Sequence, residues 1–507
     1  MKNIKFINRL ALGLAIGSSV LFTSCDGILD VNPRQSIDAD GALEAPAAVE
    51  SAINSVYARL RAEASYGRDL FALSDALADI GQTTSNSGRL IGENNNNPNA
   101  HFGHWANSYF AINEANLILG QIQSGVPGAT EAQLKRFEGE TKFLRALYYF
   151  DLVKAYSYIP TAVYQLGVID EGGIPMSTEG VIDSETAFQR QLPRSSVDEV
   201  YNLIYSDLEF AKANLGSRGS LYASSGAASA LLSRVALYRG DWAKAVSEST
   251  TALASNVGVV TSGMDYVRGW ESDIHPESMF EVRFALAGES LGVNVSMQST
   301  YCTIRTYSDF TDPTTKNFTG PGWGDFIPNA RIRNFFGLSQ VEVSTGVFDV
   351  TRNDDIRGYL YTTGSNARGA GRQIECNKFV SKTGFAFADN IPVIRKSEMH
   401  LNRAEANYHL GNVADALIEL NEFKALRGLG PVILTGADVL EEILIERMKE
   451  FAFEGQRFFD LKRYGRELNK VYLGPNNIVP FEDFRILPPI PQREVDGNTQ
   501  LNQNRGY

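Results

Sequence analysis

Apolar residues recur at three- and four-residue spacing along much of the chain, the period of an amphipathic helix. Between residues 47 and 61 they fall at Val49, Ile53, Val56, Tyr57 and Leu60, and a second helical run covers Phe71 to Ile80. The spacing returns at Trp105 and continues to about Leu119. The clearest helix is predicted over Leu134 to Tyr156. Leu134, Phe137, Thr141, Leu144, Tyr148, Leu152 and Ala155 share one face, and Phe143, Leu147 and Phe150 add a second stripe. A helix apolar on two sides is expected to lie between neighbours rather than on the surface. Ser196-Val197-Asp198-Glu199, just after Pro193, has the form of a capping box and opens the run Val200 to Leu215.

Two segments resemble each other. Ala227 to Leu253 contains Ala236-Leu237-Tyr238-Arg239-Gly240-Asp241-Trp242-Ala243-Lys244-Ala245, and His400 to Leu426 contains Asn407-Tyr408-His409-Leu410-Gly411-Asn412-Val413-Ala414-Asp415-Ala416. In each, a glycine ends one helix and alanines three and five residues later let the next pack closely, the logic of a tetratricopeptide unit. Between the two lies a region, residues 258–392, rich in Gly, Thr, Ser and Tyr. In Ser278-Met279-Phe280-Glu281-Val282-Arg283-Phe284 the apolar residues alternate with charged ones, as on a half-buried strand. Short strands and long loops are predicted there, with helix resuming from Val393 to Leu426 and from Val439 to Gly465. The Asn-rich stretch after Ser85 offers no face to bury, and a long exposed loop is predicted up to Gly103. The fold class is therefore mainly α: a helical body over 41–507, with scaffold at 41–257 and 393–507 and the irregular insertion at 258–392.

The N-terminus adds a location. Lys2, Lys5 and Arg9 precede an apolar run from Leu10 to Phe22, too short for a bilayer span of about 20 residues. Leu21-Phe22-Thr23-Ser24-Cys25 looks like a bacterial lipobox, so residues 1–24 are read as a lipoprotein signal peptide, Cys25 as the lipidated residue and 25–40 as a tether. The net charge is −12, and losing the three leader cations makes it −15, which argues against nucleic acid as a partner. Cys302 and Cys376 are the remaining cysteines, able in an exported protein to form one disulfide or to stand as two buried thiols.

No phosphate-binding glycine loop, dinucleotide fingerprint or serine elbow is present, and no cofactor is predicted. Glu446, Glu450 and Glu454 share a helix face, but interleaved arginines would keep them ionised; a structural ion-pair network is predicted there, not a glycosidase pair. His101 and His104 lack companions for a metal and are read as ordinary loop histidines, so no metal site is predicted. The Asn94 to Asn97 run has too few carboxylates to define a Ca²⁺ site. Aromatic rings and amides are the remaining candidates, because sugar C–H faces pack on Trp or Tyr while hydroxyls need Asn, Gln, Asp or Arg. Trp270, Tyr301 and Trp323 stand in the insertion, with Arg89 and Asn86 as polar partners from the loop. Packing in the core is the alternative at each aromatic.

Several stretches together resemble the SusD/RagB family of outer-membrane nutrient-binding lipoproteins of Bacteroidetes. They are Leu29-Asp30-Val31-Asn32-Pro33 after Cys25, the helix Glu140 to Val153, Arg403-Ala404-Glu405-Ala406 with Gly411-Asn412, and Glu446 to Arg463. The ending Pro489-Ile490-Pro491, Glu494 and Asn502 to Tyr507 completes the set. The resemblance implies about four tetratricopeptide-like helix pairs and an irregular region carrying much of the ligand surface. It also implies a ligand-facing tryptophan at Trp105, beside which Asn107 and Tyr109 are weaker candidates. In function it implies a surface lipoprotein, not an enzyme, that captures a nutrient. An oligosaccharide is the expected ligand, delivered to a SusC-like TonB-dependent transporter in the outer membrane. The alternatives are a peptide-binding lid and a surface glycan hydrolase.

Overall fold

The computed structural model describes residues 43–474 and 477–507; the signal segment, Cys25 and the tether to residue 40 lie outside them. Before the insertion the helices are α1 (Pro46–Arg59), α2 (Asp69–Leu77), α3 (Trp105–Ser124), α4 (Glu131–Tyr156), α5 (Val197–Asn214), α6 (Ser225–Arg239) and α7 (Trp242–Ala254). After it come α8 (Lys396–His409), α9 (Val413–Leu426), α10 (Ala437–Glu450) and α11 (Arg457–Arg463). Helix α4 packs between α3 and α5 and is buried on every side from Phe143 to Tyr156, as its two apolar stripes require. Its one deep arginine, Arg145, is paired with Asp207 of α5 at 2.8 Å and with Asn116 of α3 at 2.8 Å. The capping box at α5 forms: the Glu199 amide donates to Ser196 Oγ, and the Glu199 carboxylate accepts from the Ser196 amide at 2.8 Å.

The two glycine-centred units are neighbours in space. Gly240 and Gly411 adopt φ of +80° and +83°, left-handed conformations that end α6 and the helix before α9 and that glycine enters without a Cβ penalty. Helix α7 packs on α8, so the units stack directly although the insertion separates them in sequence. Ala236, Leu237, Ala245 and Ala406 form a small core at this junction, and Trp242 stacks on His409 with ring centroids 4.1 Å apart. The tetratricopeptide-like scaffold is thus continuous.

The insertion carries short antiparallel strand pairs, one of them completed by a strand from the loop after α2. In chain order the longer strands are β1 (Gly81–Thr83), β2 (Ser278–Val282), β3 (Phe326–Pro328), β4 (Gln340–Ser344), β5 (Val347–Val350), β6 (Tyr361–Thr363), β7 (Ile374–Cys376) and β8 (Ile391–Arg395). They pair as β1 with β3, β2 with β8, β4 with β5 and β6 with β7. Helix therefore resumes at Lys396 rather than Val393, because the intervening residues complete β8. Of the stretch predicted as a strand, Ser278–Val282 forms one; Arg283 beyond it is exposed, but Glu281 is not solvated. Glu281 is buried, accepts from Ser278 Oγ and the His275 amide, and is pushed up to about 7 by burial.

A buried ion network ties the insertion to α10. Glu446 Oε2 lies 2.8 Å from Arg357, Glu450 lies 2.9 Å from both Arg395 and Arg427, and Glu454 lies 2.8 Å from Arg395 and 2.6 Å from Lys378. Glu277, leading into β2, accepts from Arg395 at 2.9 Å. The carboxylates of this network are paired with arginines from other elements. Those interleaved with them, Arg447 and Arg457, turn to Asp460 and Asp79.

One expectation is corrected and one open alternative is decided. The Asn-rich loop is only partly exposed: it makes a helical turn at Ile91–Asn94, and Asn94 and Asn96 are buried, while Asn95, Asn97, Pro98 and Asn99 face solvent. Lys470 Nζ donates to the Ala76 and Asn94 carbonyls and Asn96 Nδ2 to the Leu77 carbonyl, so backbone acceptors, not an apolar face, draw this segment inward. Cys302 and Cys376 form no disulfide; both are free, buried thiols, with Cys302 Sγ 3.5 Å from the Ile304 and Phe379 carbonyls.

Candidate functional site

The turn Gly320-Pro321-Gly322-Trp323-Gly324 presents an indole at the surface of the insertion, and glycine makes the presentation feasible. Gly324 sits at φ +59°, and a Cβ on Gly322 would stand 2.2 Å from the Cys302 carbonyl oxygen. The backbone is fixed from below, the Trp323 and Gly324 amides donating to the Ser299 carbonyl at 3.1 and 2.8 Å. Asn86 fixes it from the side: its Nδ2 donates to the Trp323 carbonyl at 2.7 Å, and its Oδ1 accepts from the Ala370 amide at 2.7 Å. One amide side chain thereby holds three loops in register.

The half-buried Trp323 ring is bordered by polar groups. Its Nε1 donates to the exposed Asn294 at 3.3 Å. The Arg368 guanidinium lies 3.8 Å from a ring centroid and that of Arg89 lies 5.4 Å away. Arg368 is oriented by the Pro321 and Gly322 carbonyls at 2.6 and 2.9 Å, and Arg89 by Asp325 at 2.7 and 3.0 Å. Asp325 is buried, its carboxyl raised chiefly by desolvation against the opposing pull of Ser87 and Arg89. Beneath the turn Glu375 accepts from the Thr303 amide and hydroxyl, and burial pushes it up to about 8, so it is neutral at pH 7. Neither carboxylate is exposed as half of an acid–nucleophile pair. The arrangement offers an aromatic face bordered by amide and guanidinium groups.

The sequence-selected residues divide among different places. Arg89, Asn86 and Trp323 come together as described. Trp270 and Tyr301 are fully buried and are core residues, correcting their selection as ligand contacts. The Trp270 ring packs on His275 with centroids 4.5 Å apart, and Tyr301 OH donates to Asp75 at 2.6 Å. Asn107 is structural, donating to the Arg59 carbonyl and Ser65 Oγ at 3.1 and 2.9 Å. Trp105 is only 3% exposed, wedged between Tyr109 and Tyr156. It lines a separate cavity of about 520 Å³ between α3, residues 175–192 and the C-terminal segment, to which neither Trp323 nor Arg89 contributes. Two polar side chains facing that cavity are already used: Asn113 bonds both backbone groups of Val181, and Tyr109 OH donates to the Pro175 carbonyl at 2.7 Å. His104 is neutral, lowered to about 4 by burial, with its Nε2 3.2 Å from the Asp151 carbonyl. Among the described residues no three or more His, Cys, Asp or Glu side chains converge as a metal site. Sequence reasoning missed Arg368 and Asn294, which sit in aperiodic Gly- and Ser-rich loops where no spacing marks them.

A tetratricopeptide-like helical scaffold with a loop-built aromatic site defines a class of binding proteins. Residues 340–507 match the model of the SusD family, and residues 28–237 match a model described as starch-binding associating with outer membrane. The chain belongs to the SusD/RagB family. SusD-like protein P2 of Formosa agariphila is 24% identical over 94% of this chain and 96% of its own. A SusD superfamily protein from Bacteroides thetaiotaomicron superposes with a TM-score of 0.75 at 24% identity, covering 91% of this chain and 99% of the other. A laminarin binding SusD-like protein does so with a TM-score of 0.69 at 23% identity, covering 92% and 100%.

Proposed function

We propose that the chain is a surface lipoprotein that captures an oligosaccharide at Trp323 and passes it, chemically unchanged, to a SusC-like TonB-dependent transporter in the outer membrane. The observation that carries this reading is the half-buried Trp323 ring, fixed by Asn86 and bordered by Asn294, Arg89 and Arg368. Sugars combine apolar C–H faces with hydroxyls, and this arrangement meets both. The starch-binding description of the matching family model and the laminarin binding of a structural neighbour support a saccharide as ligand. Lipidation at Cys25 would hold the protein at the membrane, since acyl chains contribute about 0.8 kcal/mol per buried CH₂.

Calorimetric titration of the soluble Cys25→Ala protein against a glycan panel and a set of oligopeptides tests the proposal. Binding to at least one glycan is expected, with loss in Trp323→Ala. Binding of peptides alone would establish the peptide-lid alternative, and release of reducing ends from any glycan would make the protein an enzyme. In cells, Cys25→Ala should abolish uptake while leaving binding intact.

A further inference from the structure

Resting on that reading, we infer that the saccharide recognised at Trp323 is anionic, bearing carboxylate or sulfate groups. The chain as a whole is acidic, with net charge −12, and most of its arginines are tied to carboxylates. The turn 320–323 breaks this pattern. Among the described residues, neither Arg368 nor Arg305 has a carboxylate partner within ion-pair distance. The Arg305 guanidinium has no hydrogen-bond partner there; it rests over the Phe387 ring at 4.7 Å, and its Nη1 stands 4.0 Å from where a Cβ on Gly320 would be. Arg368 reaches the same turn from the other loop through the Pro321 and Gly322 carbonyls, which occupy Nε and Nη2 and leave Nη1 without a partner. Arg89 likewise engages Asp325 through Nε and Nη2 only.

The acids nearby do not cancel this charge. Asp325 offsets Arg89, and Glu375 is buried and neutral at pH 7. Two guanidinium charges therefore remain at the turn, Arg368 over the indole and Arg305 beside Gly320, each with donors available. A neutral sugar stacking on the face Arg368 covers would have to displace a group held by two carbonyls. An anionic sugar would instead be drawn to the guanidinium edges, whose forked donors match carboxylate and sulfate oxygens. The net negative charge of the chain would disfavour such a ligand away from local cationic clusters such as this one.

The test uses the soluble Cys25→Ala chain and three hexasaccharide probes: alginate (carboxylate only), a carrageenan fragment (sulfate only) and neutral laminarihexaose. Titrations are run at about 50 mM and about 500 mM NaCl, where the Debye length falls from roughly 14 to 4 Å. At least one charged probe should bind about tenfold or more tighter than laminarihexaose, weaken several-fold in high salt, and lose about tenfold in each of Arg305→Gln and Arg368→Gln. Alginate and carrageenan separate the two sources of charge. Laminarihexaose binding as tightly as both charged probes would overturn the inference, as would charged binding that ignores salt; the salt test needs no variant to fold. A preference for neutral sugar leaves the proposed function standing. Binding of oligopeptides in place of all three probes would remove both.

Discussion

Replacing Arg395 by Met tests whether the buried network, rather than apolar packing alone, locks the insertion onto α10. Arg395 is 2% exposed and donates to Glu277 at 2.9 Å, to Glu450 at 2.9 Å and to both oxygens of Glu454 at 2.8 Å. Breaking a buried pair by removing one partner costs about 3–5 kcal/mol, because the other charge stays buried and uncompensated. Here each carboxylate keeps another cation: Arg427 for Glu277 and Glu450, and Lys378 for Glu454. The low end, about 3 kcal/mol, is therefore expected. Arg466→Met is the control, because its pair with Glu441 is 35% and 50% exposed and should contribute about 1 kcal/mol or less. Urea unfolding followed by circular dichroism measures both. The pH dependence gives a second reading. Glu446 is held down at about 2 by Arg357, Lys449 and Lys424, and Glu450 well below the ordinary range by Arg427, Arg395 and Arg357, cations that outweigh burial. With folded values depressed, their stabilisation is present above the unfolded value of about 4.3 and is lost as pH falls from there toward 2. In Arg395→Met the folded value of Glu450 rises toward the unfolded one, so this acid limb should be shallower and end at higher pH. A variant within about 1 kcal/mol of the Arg466→Met control, with an unchanged acid limb, would refute the reasoning.

Glu375 carries the opposite sign: its folded value of about 8 exceeds the unfolded one, so native protein binds the extra proton and stability falls as pH rises from about 4.5 to 8. Glu375→Gln should flatten that slope in urea unfolding at pH 5 and 8; an unchanged slope would contradict the assignment. Trp270→Ala should cost about 3–5 kcal/mol by leaving a cavity in the core, whereas Trp323→Ala should change stability by under about 1 kcal/mol while abolishing glycan binding. In the Cys25→Ala protein, Cys302 and Cys376 should both stay silent to a thiol reagent when folded and both react in denaturant without reductant. No reaction in denaturant would indicate a disulfide.

The scaffold was legible in the sequence because helices facing a core must repeat at 3.6 residues. The stripes of α4, the capping box at Ser196 and the glycines at 240 and 411 each announce a local structure with one physical cause. The ion network was legible in kind but not in partners, since Glu446 and Glu450 meet arginines remote in sequence. The site was legible only in part. Trp323 stood out between glycines, yet nothing local distinguishes it from Trp270, whose burial depends on His275, Phe379 and Arg395 closing around it. Arg368 and Asn294 reach the indole only through tertiary loop contacts, and aperiodic loops write no such contact into their spacing. The Asn-rich loop misled for a related reason: its burial is driven by carbonyls meeting Lys470, invisible to a hydrophobic pattern.

The most direct test of the central claim is a crystal structure of the protein with the tightest-binding oligosaccharide of the panel. The predicted result is a sugar ring in van der Waals contact with the Trp323 indole and hydrogen-bonded to at least one of Asn294, Arg89 and Arg368. A ligand seated instead in the cavity lined by Trp105 and Tyr109, with Trp323 uncovered, would contradict it.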